Sequence, residues 1–374
     1  MILAAALLLT HVNIIDLQTG KVLRDAAIRI GLGEARVFDG RGKFVIPGLW
    51  DMHTHIPDDN VGKNAYLPLF IANGVTGIRV MEGSPELYRW RDAGIEPRMV
   101  VASPILDGPK TFLPDAVVVR NADEARKAVR DAKRAGADFI KVYDNLSRES
   151  YFAIASEAKR LKIPVAGHLP AAITPEEASK AGQVSIEHLT GMTAQTGVSA
   201  PHIWQCPTLI MRHNYGVLDD PKLANDPRLK YVRRSTRERW LRMLRQSADY
   251  AARRTTFASE KKLVGAMAKG GVGILAGTDN GNPFCFPGFS LHDELALLVE
   301  SGLTPLQALQ TATVNPLRFL NPKPSADLII LDANPLDDIR NTKKINAVVI
   351  GGRLLERKDL DALLKKSEAI ANER

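Results

Sequence analysis

A chain of 374 residues that is 45% hydrophobic and 25% charged has enough material for one large core and is neither disordered nor fibrous in composition. Its two cysteines, Cys206 and Cys285, are too few for a disulfide framework and form no Cys-x-x-Cys metal pair. Much of the +8 net charge lies in residues 231–254, where Trp240, Leu244 and Ala248 keep one stripe apolar; this reads as a solvated helix packed by one side and not as a nucleic-acid face.

Residues 1–9 lack a basic leading region and continue directly into a strand-like run, so they read as the first β-strand and not as a leader. No stretch reaches the length of a membrane span. The expectation is a cytoplasmic protein with a small-molecule partner, without nucleic-acid or membrane partners, working as a homo-oligomer. Short β runs follow at 7–16, 26–30 and 35–38, broken by Thr19-Gly20 and Asp39-Gly40, the pattern of a small antiparallel sheet. Matching runs return at 326–331 and 345–353. A small β-sandwich-like domain formed from both termini, 1–46 with 322–358, is therefore expected, with a C-terminal helix over 359–374.

Between them, residues 47–321 repeat one unit: an amphipathic helix, a glycine just past its end, then a short apolar strand. Gly74, Gly136, Gly182 and Gly271 hold that position. Thr174-Pro175-Glu176-Glu177 and Thr304-Pro305-Leu306-Gln307 supply helix starts, each with an N-cap threonine, a first-turn proline and a capping-box residue. Strands are predicted at 49–53, 75–80, 98–102, 138–143, 164–168, 184–188, 205–211 and 273–279. Eight of them alternating with helices predict an α/β fold of the (β/α)8 TIM-barrel type; a doubly wound open sheet is the rival.

In such a barrel, reactive groups gather at the C-terminal ends of the strands. The first strand ends in His53-Thr54-His55, whose imidazoles share one face of an extended chain. The fourth carries Lys141 among apolar neighbours, where an unpaired ammonium is costly. His168 and His188 end the fifth and sixth, and Asp279 ends the eighth. Taken singly, each is compatible with an ordinary hydrogen-bonded strand end or turn. Together they place the ligand types of a zinc-like ion on one rim.

This ordered set, with the closing Ala326-Asp327-Leu328-Ile329, resembles the amidohydrolase superfamily over nearly the whole chain, in its metal-dependent imidazolonepropionase-like and prolidase-like branch. The resemblance implies two divalent metal ions, most simply Zn, held by His53, His55, Lys141, His168, His188 and Asp279, with Lys141 modified to a carbon dioxide-derived carbamate that bridges them. It also implies hydrolysis of an amide C–N bond by a metal-bridging hydroxide, with Asp279 as general base and then acid. Dipeptides, N-acyl amino acids and aromatic-acid conjugates of amino acids are the implied substrates. A lactonase, carbamate or phosphotriester hydrolase on the same two-ion site is one alternative, and a non-catalytic binding barrel another.

Substrate contacts are sought near the same rim. Tyr143, two residues beyond Lys141, shares its face and is a candidate for binding an oxyanion or a carboxylate. His213 is a second catalytic candidate, Arg212 a carboxylate anchor, and Phe284 part of an aromatic wall. Residues 214–256 are expected to form helices over the pocket mouth. Two departures from the family stand out: Tyr143-Asp144-Asn145-Leu146 replaces the Ala-Ser-Gly-Gly of several members, and the β-domain loops at 31–35 and 321–325 are short.

Overall fold

The fold is that of a computed structural model, which describes residues 6–193, 203–246 and 248–373. Residues 1–5 of the predicted first strand lie outside the described residues. Alternation along Ala6–Ile15 buries Leu7, Leu9 and Val12, and that face sets the register of the terminal sheet. Strands from both ends join in one seven-stranded sheet, in the order Arg353–Glu356, Ile345–Ile350, Leu328–Leu331, Phe44–Pro47, Ala6–Ile15, Val22–Ile30, with Ala35–Asp39 also beside Ala6–Ile15.

That sheet is mixed and not purely antiparallel. Ala35–Asp39 and Phe44–Pro47 both run parallel to Ala6–Ile15. The termini meet where Leu328–Leu331 pairs antiparallel with Phe44–Pro47. Pairing joins these strands into a single sheet with its own small core, including Val45, Ile330 and Val349, in place of the two facing sheets of a sandwich. The last helix, Arg357–Ala371, reaches back to the barrel through Ser367 Oγ, which donates to Ala65 O at 2.9 Å.

The middle of the chain forms a TIM-barrel-like ring. Leu49–Thr54, Val75–Val80 and Arg98–Val101 make one parallel sheet; Ile140–Val142, Val165–Gly167, Gln183–Glu187 and Trp204–Cys206 lie in another. A bridge between Ala102 and Phe139 joins the two. The ring closes through residues 273–279, where Ile274 bridges to Gln205, Met52 N donates to Ala276 O at 2.8 Å, and Asp279 N donates to His53 O at 2.8 Å.

Two staves differ from their predicted form. The seventh ends at Cys206, because Pro207 breaks the ladder and Thr208 turns to a left-handed φ of 47°; helix Leu209–Gly216 follows. The eighth is held by hydrogen bonds on both sides but is not a regular strand. At Gly277 a Cβ would lie 2.5 Å from Cys206 Sγ and 2.8 Å from His53 Cβ, so only glycine admits the close approach of the first and seventh staves. Of the segment predicted to cover the mouth, helix Arg234–Met243 lines the cavity through Arg239, Trp240 and Met243, whereas helix Tyr250–Lys269 packs against helix Leu209–Gly216 and adds no residue to it. Among the described residues, no helix is long and apolar enough to cross a membrane.

Candidate active site

Three buried histidines are each tethered by Nδ1. His53, fully buried at the end of the first stave, has Nδ1 2.8 Å from Glu187 Oε2. His168 Nδ1 lies 2.8 Å from Asp144 Oδ1, and His188 Nδ1 lies 2.6 Å from Thr208 Oγ1. A neutral imidazole that gives its ring proton to such a partner keeps a lone pair on Nε2. All three rings crowd together: the centroids of His53 and His188 are 4.4 Å apart, and those of His168 and His188 are 4.9 Å apart.

Asp279 faces two of these rings and that of His55. Its Oδ1 is 3.2 Å from His55 Nε2 and 3.5 Å from His53 Nε2, and its Oδ2 is 3.6 Å from His188 Nε2. Burial would raise its carboxyl, but His188, His53 and His55 hold it well below the usual carboxylate range. Burial, followed by the charge of Lys141, pushes His53 down to about 3. Burial also lowers His168 and His188. At His55 burial acts downward as well, yet Asp279 and Glu82 outweigh it and lift the ring to about 9. Lys141, 1% exposed, is lowered by burial.

The donor set fits a divalent ion. His53 Nε2 is buried without a hydrogen-bond partner, and ligand atoms of His53, His188 and Asp279 lie within 4.8 Å of one another. His53, Glu187 and Cys206 also fall within that distance, but Glu187 already accepts from His53, and burial pushes the Cys206 thiol well up, away from the thiolate a metal needs. The imidazole and carboxylate set is the better cage.

His53, His55, Lys141, His168, His188, Asp279, Tyr143 and Arg212 all line one cavity of about 770 Å³. The Tyr143 ring lies 4.0 Å from that of His168, centroid to centroid, and meets Phe112 at the mouth. Arg212 donates through Nη2 to His188 O at 3.0 Å and approaches Glu260 at 3.3 Å. Two predicted residues are not brought to this cavity. His213, expected just past the seventh strand, sits instead on helix Leu209–Gly216, and its ring packs on Phe257 at 5.6 Å. Phe284, 2% exposed, stands behind the wall against Trp240.

The tethering partners escaped the sequence reading as functional groups. Glu187 is held by Arg79 Nη2 at 2.8 and 2.9 Å and by Ser185 Oγ at 2.6 Å. Burial works against its charge, but Arg79 and His53 keep its carboxyl far below the usual range. Arg79, 1% exposed, also donates from Nε to Met52 O at 2.6 Å. The signal that marked Lys141, a charge among apolar strand residues, is equally present in Ile78-Arg79-Val80 and Ile186-Glu187. Asp107 adds a further layer, accepting from Asn145 N at 2.7 Å and fixing the turn that carries Asp144.

Residues 44–355 match the profile described as Amidohydrolase family. No curated protein gives a significant match. Among solved structures, Bottromycin amidohydrolase is 26% identical, with a TM-score of 0.81, over 98% of this chain and 91% of that one. A Bifidobacterium longum protein assigned as a prolidase is 24% identical, with a TM-score of 0.77, over 98% of this chain and 99% of that one. An Xaa-Pro dipeptidase with methionine bound in its active site is 21% identical, with a TM-score of 0.71, over 94% of this chain and 100% of that one. At 24% and 21% identity the likeness establishes the fold.

Proposed function

The chain belongs to the amidohydrolase family, and from that premise we propose that it is a metal-dependent hydrolase of amide C–N bonds acting on peptide-like or N-acyl amino acid substrates. The observation that carries this reading is the set of three histidines with Nδ1 tethered outward and Nε2 left facing a cavity with Asp279. His53, His55 and Asp279 would hold one divalent ion and His168 and His188 a second, zinc being the simplest match to these donors. When bound, such ions polarise the amide carbonyl and make water acidic enough to attack near neutral pH.

The chain's own groups divide the remaining work. Asp279, kept ionised by its imidazole neighbours, takes a proton and delivers it to the leaving nitrogen. Lys141, buried and with its amine lowered by burial, would carry the carbamate formed when that amine adds to carbon dioxide with loss of a proton, and the resulting anion would help to hold the ions. The Tyr143 phenol, raised by burial, stays protonated and can donate to the oxygen that gains charge during attack. Arg212 is the carboxylate anchor of this reading.

A screen of the zinc-loaded protein over dipeptides, N-acyl amino acids, lactones and phosphotriesters tests the proposal. Amides are expected to turn over fastest, and Asp279→Asn should lower kcat by at least about a hundredfold. Faster turnover of phosphotriesters or lactones than of any amide, or full activity in Asp279→Asn, would reject it. Metal analysis should return about two divalent ions per chain, with reconstitution dependent on carbon dioxide.

A further inference from the structure

The cavity that holds His53 and Asp279 does not end at His55. A second cavity, also of about 770 Å³, adjoins it across a partition of His55, Glu82, Arg239, Trp240 and Gly281, residues that line both. Its walls mix the apolar side chains of Ile56, Tyr66, Leu87, Val232 and Pro287 with the charged ones of Asp58, Asp115 and Arg233. Each chamber has the size of a site for a drug-sized ligand. A two-residue substrate poised at the histidines needs no more than one of them.

Two groups on the partition lack partners inside the protein. Arg239 has no carboxylate partner among the described residues and only a long contact, 3.5 Å, from Nη2 to Gly281 O. Its neighbour Arg233, by contrast, is paired with Asp59, and Glu82 is engaged by His55 at 3.5 Å. Trp240, 1% exposed, has its indole Nε1 buried with no acceptor. Both are donors, and both belong to helix Arg234–Met243, which stands between the chambers. The exposed Arg239 guanidinium suits a carbonyl or carboxylate oxygen of an extended peptide chain, whereas the indole N–H, closed off from the chamber, does not reach one.

Resting on the hydrolase reading, we propose that the second chamber binds the substrate beyond the scissile bond. The substrate is then a peptide-like amide longer than a dipeptide. Its chain crosses the partition at His55 and sets an oxygen against Arg239. Placement at His55 puts the bond to be cut beside Asp279, while length on either side is accommodated by a separate chamber.

The test compares the zinc-loaded enzyme on a two-residue and a four-residue apolar peptide that share one scissile bond. The longer substrate is expected to show a kcat/KM at least about tenfold higher. Thr236→Trp and Asp115→Trp narrow the second chamber from two different segments without replacing a partition or metal-site residue. Each should lower kcat/KM for the longer substrate about tenfold and leave the shorter within about twofold. Equal or faster turnover of the two-residue substrate by the parent enzyme overturns the proposal, whether or not the variants fold. So does a folded pair of variants that leaves the longer substrate unchanged or slows both substrates alike, as expected of a chamber that holds only water. Failure to cleave any amide would instead reject the hydrolase reading itself.

Discussion

The ring proton of His53 decides whether its Nε2 can serve a metal. Glu187, an acceptor held by Arg79 at both oxygens and by Ser185 at one, keeps that proton on Nδ1 and leaves the Nε2 lone pair facing the cavity. In Glu187→Gln the amide oxygen turns toward Arg79 and Ser185, which need an acceptor. The NH2 then faces Nδ1, so the proton moves to Nε2. Affinity for zinc should fall about 10–100-fold, read by competition with a chelator. The melting temperature should fall too, because a buried Arg79 without its counter-charge costs about 3–5 kcal/mol. A folded variant with parental zinc affinity would refute this role for Glu187. These partners were hard to read beforehand because His53 and Glu187 are separated by 134 positions; each carried a signal, but pairing them required the barrel.

Helix Leu209–Gly216 shows how an element is adapted to the site. Its N-cap, Thr208, makes no side-chain cap, since the hydroxyl is engaged by His188 Nδ1 at 2.6 Å and Pro207 O at 2.8 Å. Glu294, from helix Phe289–Glu300, replaces it by accepting from Ile210 N at 2.7 Å. Burial raises the Glu294 carboxyl from its ordinary 4.5 to about 8. Between those values the folded chain keeps a proton that the unfolded chain has lost. The stabilising contribution is therefore fully present below about 4.5 and is lost as pH rises through about 8. Glu294→Gln cannot ionise, so it should melt close to the parent in acid and above it near pH 9, by on the order of a few kcal/mol. Parallel melting curves across that range would show that Glu294 is not held protonated. The predicted strand at 205–211 failed at this same place: Leu209-Ile210-Met211 is an apolar run too short for periodicity to separate strand from helix. His213 was placed at the site as lying just past that strand, and the helix packs it on Phe257 instead.

At the scale of the whole molecule, closure of the barrel and construction of the site are one event. Asp51 accepts from His53 N at 3.2 Å, Thr278 N at 3.0 Å and Thr278 Oγ1 at 2.6 Å. It thereby ties the stave that carries His53 to the segment that carries Asp279. Gly277 sits in that seam. In Gly277→Ala the new methyl would press on Cys206 and the backbone of His53, costing about 1–3 kcal/mol. Thermal melting should register that loss, and zinc binding should weaken with it. A variant as stable as the parent would mean that the seam can open without cost. Part of the basic segment is used within the fold: Arg233 pairs with Asp59, Arg234 with Glu238, and Arg254 with Asp219.

The sequence by itself determined which candidate ligands stand at the ends of the alternating units and in what order, because strand period, helix caps and strand-end position are local properties. His53, His55, Lys141, His168, His188 and Asp279 could be named for that reason. Tertiary structure alone decided which nitrogen each histidine presents, since Glu187, Asp144 and Thr208 approach across gaps in sequence. It also decided that the cavity continues past His55, whose second chamber draws its walls from residues as distant as Ile56, Asp115, Thr236 and Pro287. Such contacts are set by how the barrel closes and how its cover helices pack, and no local pattern encodes them.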